Sequence, residues 1–317
     1  MNNPLLPLVS VCVQTYQHGH YIKECLDSIL MQQTNFPFEI ILGEDESTDG
    51  TREICLEYAK MYPDTIRLFL RSRKDVIYIN GNPTGRYNMI ENLKTTKGKY
   101  IALCEGDDYW TDSLKLQKQV DFLEQHDEYG ICFHEALVKW DSSDGFNSNI
   151  KYNSEFPWNK MDVSETSYTI SNVFDGPFMA TASVVFKNPY IKDFPSWFYE
   201  ALSGDITLYA LILGKKKIKF INEVMSAYRR HPGSITRFHK GNATVLNRIV
   251  TLKHINKHYE NLYLNDIQQA VGAYLNNLHK ISLRDFLLVV KLFFTSNIIN
   301  RNFFFPFIKK SIKSLIK

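Results

Sequence analysis

The chain has 317 residues, 44% hydrophobic and 22% charged, a balance that excludes a disordered chain and a polytopic membrane protein and allows a large domain with an appendage. The formal charge of +3 is unevenly spread, because residues 280–317 hold eight Lys or Arg against one Asp, a local +7 that leaves −4 for everything before them. A basic excess confined to one apolar tail, with no broad basic patch, argues against nucleic acid as a partner.

In chain order, an apolar, β-branched run at 8–14 (LVSVCVQ) predicts a first strand, and runs of the same character recur at 38–42, 66–70 and 100–104. Helical periodicity lies between them at about 21–33, 51–61 and 86–95. This alternation predicts an α/β fold, with a parallel sheet covered on both faces as far as residue 110. A helix at 113–125 follows, then strands at 130–139 and 182–187, a helix at 205–213, a strand at 217–228 and helices from about 242. Residues 141–172, rich in Ser, Asn, Asp and aromatics without period, are expected as a long loop region. The expected division is 1–240, with halves at 1–110 and 111–240, and a helical region at 241–317. The five cysteines are odd in number, far apart and mostly in apolar segments, so buried reduced thiols are expected rather than disulfides or a zinc site. The N-terminus carries no basic region before its first strand, and together these features suggest a cytoplasmic protein.

Three of the four early strands end in polar clusters: Gln14-Thr15-Tyr16, then 44–49 (EDESTD), then Glu105-Gly106-Asp107-Asp108. In open α/β sheets the ligand crevice lies beyond the carboxyl ends of the strands, so the three should converge. Three carboxylates within four residues repel one another unless a cation joins them, and hard oxygen donors beside a diphosphate suit Mg²⁺ or Mn²⁺. The structural alternative is a solvated acidic turn capping the next helix. For the second cluster, Ser47, Thr48 or Asp49 can cap the helix at 51–61, but capping leaves Asp45 unexplained; its carboxylate can accept from a base N–H or a ribose hydroxyl.

Taken together, Val9-Ser-Val-Cys-Val-Gln-Thr-Tyr16, the segment 39–51 (EIILGEDESTDGT) and the segment 98–110 (GKYIALCEGDDYW) resemble, in order and spacing, the motifs of the inverting family 2 glycosyltransferases of GT-A fold. The similarity covers roughly residues 8–235. It implies a Rossmann-like, mostly parallel central sheet with a C-terminal helical extension, a donor-binding half at 1–110 and an acceptor-binding half at 111–240. By the same resemblance the chain moves a sugar from a nucleotide-sugar donor, with UDP the expected carrier, to a glycan or lipid-linked acceptor in bacterial surface-polysaccharide synthesis. Gln14, Tyr16, Asp45, Arg86, Glu105 and Gly106 would line the donor site, with Asp45 at the base and Arg86 near the diphosphate. Glu105 and Asp107 would be the outer members of the D-x-D motif, with Glu in the first place as a departure, and Asp107 the direct ligand of Mn²⁺ or Mg²⁺.

Asp205, in Ser203-Gly-Asp205, falls where the family places its general base, although a helix N-terminus favours an acidic residue in any case. The segment 228–235 (YRRHPGSI) resembles the family's Y-R-x-H-x-x-S, so Arg229, Arg230 or His231 would balance the leaving diphosphate and His231 would complete the metal shell. Trp110, beside the metal motif, is the aromatic expected to stack on a sugar. A nucleotidyltransferase would want a Gly-rich phosphate loop after the first strand, and 14–18 (QTYQH) supplies none. A non-catalytic binding module would be expected to lack one carboxylate cluster, and both are present. In the tail, Phe307, Ile308, Ile312, Leu315 and Ile316 fall near one helical face with lysines off it, a pattern suited to peripheral contact with an anionic membrane; a helix packed on the protein is the alternative.

Overall fold

The apolar runs of the first hundred residues form strands β1 (Val9–Thr15), β2 (Phe38–Glu44), β3 (Ile66–Leu70), a short hairpin β4 (Ile77–Ile79) and β5 (Asn82–Thr84), and β6 (Tyr100–Leu103). These come from a computed structural model that describes residues 6–140, 150–155, 161, 164–234 and 241–315. β3, β2, β1 and β6 lie side by side and parallel, with Val9 opposite both Phe38 and Tyr100. Burial of β1 at almost every position explains why Val9, Val11, Cys12 and Val13 are apolar without strict alternation. The helices between are α1 (Ile22–Leu30), α2 (Thr51–Met61) and α3 (Arg86–Thr95). Asn80 and Gly81, both with positive φ, make the two-residue turn of the β4–β5 hairpin, a signal that an Asn-Gly pair carries and that the strand spacing alone did not reveal.

α3 is tied down by amides rather than by an apolar stripe. Asn88 Nδ2 donates to Gly43 O at 2.8 Å and Asn92 Nδ2 to Val13 O at 2.9 Å, while Arg71 donates to both side-chain oxygens at 2.9 and 2.8 Å. Gly43 makes the approach possible, since a Cβ there would stand 1.9 Å from Asn88 Oδ1. Gly43→Ala is therefore expected to destabilise the protein by about 1–3 kcal/mol, read as a lower urea midpoint.

The sheet continues through β7 (Tyr109–Trp110), β8 (Tyr129–Trp140), β9 (Ile150–Lys151), β10 (Ser167–Tyr168), β11 (Val185–Lys187) and β12 (Lys217–Arg230), with helix α4 (Lys115–Gln125) between β7 and β8 in the chain. β11 runs antiparallel between β6 and β8, and β12 lies parallel to β8 through several bulges. Part of the stretch expected as loop, 141–149, 156–160, 162 and 163, lies outside the described residues. The remainder corrects that expectation: β9 pairs with β8 and β10 with β12, two-residue strands that pairing creates and no local period announces. β11 is shorter than expected because residues Thr181–Ser183 turn as a 3-10 helix, and β12 runs on to Arg230.

Leu116, Val120 and Leu123 form the buried face of α4. Lys115 is buried with them, its ammonium 2.8 Å from Gln119 Oε1 and 4.1 Å from the centre of the Trp110 ring. Burial lowers its pKa to about 7, partly offset by Cys104 and Cys132. A lysine with a depressed folded pKa binds fewer protons folded than unfolded, so it contributes a rise in stability with pH from about 7 towards 10.5, its full penalty being present below pH 7. Urea titrations at pH 7 and pH 9 are expected to show that rise in the wild type and a flatter profile in Lys115→Met; equal slopes would show that Lys115 is not the group responsible.

The chain divides into two compact units, Met1–Thr169 with Pro177–Phe194 and Lys215–Ser234, and Ile170–Gly176 with Pro195–Gly214 and Ile235–Lys317. The second holds α5 (Ile170–Asp175), α6 (Gly204–Leu213), α7 (Asn242–His258), α8 (Leu264–Asn276), α9 (Leu283–Thr295) and α10 (Arg301–Leu315). Two segments from inside 1–240 thus group with the C-terminal helices, fastened by tyrosines: Tyr259 donates to Ala210 O, Tyr263 to Gly214 O and Tyr274 to Phe174 O. All five cysteines are buried free thiols. Among the described residues no helix is long and apolar enough to cross a membrane. The tail helix turns Phe307 inward, with 3% exposure, and leaves Ile312 outward, which corrects the single apolar face expected there; the side chains of Leu315 and Ile316 lie outside the described residues.

Candidate active site

Four strand ends of the first unit supply the candidate site: the loops after β1, β2 and β6, and the turn after β12. The polar segment after β2 braces the loop after β1. Three successive backbone N–H groups, of Gln17, His18 and Gly19, donate to Ser47 Oγ, Thr51 Oγ1 and Asp49 Oδ2 at 2.9, 2.8 and 2.9 Å. Most of the 44–49 cluster is thereby structural, and Glu44, fully buried, accepts from Ser47 N and from Arg52 Nε. Gly50 is the N-cap residue of α2 and offers no side chain, but Asp49 Oδ1 accepts from Thr51 N at 3.2 Å, so Asp49 supplies the capping expected of this cluster.

Asp45 is the member that faces ligand chemistry. Its Oδ2 accepts from Arg73 Nη1 at 2.6 Å, and its Oδ1 is buried without a partner among the described residues. Burial raises the Asp45 pKa, against the pull of Arg73. The Arg73 guanidinium lies 4.1 Å above the centre of the Tyr16 ring and covers that face, while the ring, 39% exposed, leaves its remaining surface open to a flat group. Glu46, at positive φ, holds Arg73 in place by accepting from its backbone N at 2.6 Å. Arg73 was not among the candidates from sequence; it lies outside the strand-end clusters, and its partnership with Asp45 spans 28 residues.

Two residues beyond Tyr16, on the same loop, His18 meets Asp107 and His231. Asp107 Oδ2 is 3.0 Å from His231 Nε2 and 3.8 Å from His18 Nε2, and one ligand atom from each of the three lies within 4.8 Å of the others. Gly106 permits this closeness: its N donates to Gln14 O at 3.0 Å, and a Cβ there would stand 2.6 Å from Thr15 Oγ1 and 2.9 Å from His18 Nδ1. Burial lowers the His18 pKa, Asp107 opposing, which favours the neutral imidazole a cation requires. For Asp107 burial acts upward, but His18 and the hydrogen bond with His231 outweigh it and hold the carboxyl below its ordinary range. Two imidazoles and a carboxylate converging from three elements fit a divalent cation. His18 was missed in the sequence, where its one signal was a place just beyond the carboxyl end of the first strand.

The remaining candidates are placed differently. Arg229 donates to Asp107 O at 2.8 Å and to Glu24 Oε2 at 2.5 Å, and its guanidinium lies between the Tyr21 and Tyr109 rings. Its backbone N donates to Asp108 Oδ1 at 2.8 Å, so Arg229 and Asp108 fasten the 105–108 loop to β12. That engagement replaces the expected role at a diphosphate. Arg230 stacks over Trp140 at 4.3 Å. Trp110 is a core residue, 1% exposed, with Nε1 donating to Ala182 O at 2.9 Å, so its ring offers no face to a sugar. Among the described residues Gln14 has a buried Oε1 without a partner, Arg86 opens α3 with its side chain buried, and Glu105 is half-buried two residues before Asp107. Asp205 lies in the second unit, in the first turn of α6, half-buried and in no ion pair among the described residues.

An uncharacterized protein of Mycobacterium tuberculosis is 36% identical over 231 residues, covering 72% of this chain and 60% of its own length, so the chain spans less than two thirds of that relative. Among solved structures, S. aureus TarS 1–349 in complex with UDP-GlcNAc is similar at TM-score 0.52 and 17% identity, covering 88% of this chain and 83% of that one. The mannosyltransferase PcManGT of Pyrobaculum calidifontis, in complex with GDP-Man and Mn²⁺, gives TM-score 0.53 at 16% identity, covering 98% and 85%. At such identities these two attest the GT-A fold alone. The profile described as Glycosyl transferase family 2 matches residues 10–185, more than half of the chain, and the protein belongs to that family.

Proposed function

We propose that the chain is an inverting glycosyltransferase that moves a sugar from a UDP-sugar to an acceptor hydroxyl of a cell-surface glycan or lipid-linked saccharide, with Mn²⁺ or Mg²⁺ held by His18, Asp107 and His231. The observation that carries this reading is a stacking face beside a buried carboxylate, Tyr16 and Asp45, set on the same strand ends as a carboxylate between two imidazoles. A nucleoside diphosphate has matching ends: a flat base with an N–H to donate, and a diphosphate in need of counter-charge. Asp45 Oδ1 accepts the base N–H and Tyr16 supports the ring, while a cation held by His18, Asp107 and His231 would offset the charge of the departing diphosphate. Asp205 takes the proton of the acceptor hydroxyl as its oxygen attacks C1 from the opposite side, which inverts the anomeric centre without a covalent enzyme intermediate. Fold neighbours that hold UDP-GlcNAc and GDP-Man support a nucleotide-sugar donor. Five reduced, buried thiols suit the cytoplasm, where such donors are made.

The test is calorimetric titration with UDP, GDP and TDP, each with Mn²⁺ and with EDTA. Metal-dependent binding of UDP is expected; binding of GDP or TDP instead would change the carrier, and binding of none would overturn the transferase reading in favour of a non-catalytic module. Two nitrogen donors in three favour Mn²⁺ over Mg²⁺, which prefers an all-oxygen octahedron. His18→Ala is accordingly expected to weaken Mn²⁺ binding on the order of 10- to 100-fold, taking the loss for an outer-shell partner as a floor, measured by the spectrum of free Mn²⁺ in electron paramagnetic resonance. Unchanged Mn²⁺ affinity would remove His18 from the ligand set.

A further inference from the structure

α9 and α10 pair antiparallel through stacked rings, Phe293 on Phe304 at 3.7 Å and Phe286 on Phe307 at 6.2 Å. This stacking, with the packing of α9 on α7 and of α10 on α8 that buries Val289 and Leu292, leaves one face of each helix bare. On α9, Leu283, Leu287 and Phe294 fall within about 40° of one another around the helix axis and are exposed by 61, 55 and 76%. On α10, Phe305 and Ile312 share a face and are exposed by 61 and 44%. The two stripes meet, since Phe293 touches both Phe294, at 5.2 Å between ring centres, and Phe305, at 6.4 Å.

Charge decides what covers this face. Arg284 and Lys291 flank the α9 stripe, Arg301 and Lys309 the α10 stripe; all four are exposed, and among the described residues none forms an ion pair. A second copy of the chain would bring the same uncompensated cations face to face, a repulsive arrangement. Exposed Phe and Leu ringed by unpaired basic residues instead match a surface that is apolar a few ångströms down and negative at its rim.

We propose that the outer face of the α9–α10 hairpin seats on an anionic lipid bilayer, with Phe294 and Phe305 entering the headgroup boundary and Arg284, Lys291, Arg301 and Lys309 meeting lipid phosphates. The contact is peripheral, as no described helix is fit to span. It differs from a tail strip centred on Phe307, whose ring is turned into the hairpin. The face belongs to the second unit alone, so lipid binding and nucleotide binding can fail separately.

Co-sedimentation of the full chain with phosphatidylcholine vesicles, with and without phosphatidylglycerol, tests this. Binding is expected only with phosphatidylglycerol and should weaken as salt rises. Phe294→Ser with Phe305→Ser, and separately Arg284→Glu with Lys291→Glu, should each lower partitioning at least about tenfold while leaving circular dichroism and nucleotide binding unchanged. Equal binding to neutral and anionic vesicles, or none to either, overturns the proposal. A concentration-dependent dimer in light scattering that the Phe294→Ser, Phe305→Ser variant dissolves would also overturn it, assigning the face to a second copy.

Discussion

Asp107→Asn is expected to reduce glycosyl transfer by at least about 10² to 10³-fold and to abolish the metal-dependent part of nucleotide binding. The reason is the make-up of the trio. Asp107 supplies its only anionic oxygen, facing His231 at 3.0 Å and His18 at 3.8 Å. Asn keeps the shape and can still hydrogen-bond His231, so folding should be spared while the charge that attracts a hard cation is lost. Initial rates over a Mn²⁺ series, set beside calorimetry with UDP, separate the two effects. A variant that turns over normally with Mn²⁺, or a wild type indifferent to EDTA, would place the counter-charge for the diphosphate elsewhere in the protein.

Asp205→Asn is expected to lower kcat by about 10² to 10⁴-fold, the range for loss of a general base, with donor affinity left intact. An amide in its place cannot accept the hydroxyl proton at neutral pH, yet it preserves the first turn of α6. Binding and chemistry are thereby uncoupled. Single-turnover rates with saturating donor, paired with nucleotide titration, read out each separately. Near-normal turnover in this variant would exclude Asp205 as the base, and loss of donor affinity would assign it to the donor site instead.

Periodicity and strand-end chemistry made much of the protein legible in its sequence. The parallel set of β1, β2 and β6 follows from runs buried almost throughout, with β3 a partly buried edge strand beside them, and Asp45, Asp107 and Gly106 stand out because carboxylates and a glycine at strand ends need a reason. Those signals are local: a few adjacent residues carry each of them. Side-chain commitments over long separations are not local, and there the sequence was silent. Arg229 was a free cation on paper but is bound to Glu24, 205 residues away, and Trp110, expected to stack on a sugar, lies in the core with Lys115 over its ring and its Nε1 donating to Ala182 O. His18 and Arg73 became site residues only because the loops after β1 and β2 are laced together and the β12 turn brings His231 against Asp107. The chain's pattern thus determined which elements form and which strand ends bear charge. Only tertiary packing decided which polar groups are spent on holding those ends together and which remain for a ligand, because a hydrogen bond already made inside the protein leaves nothing to offer.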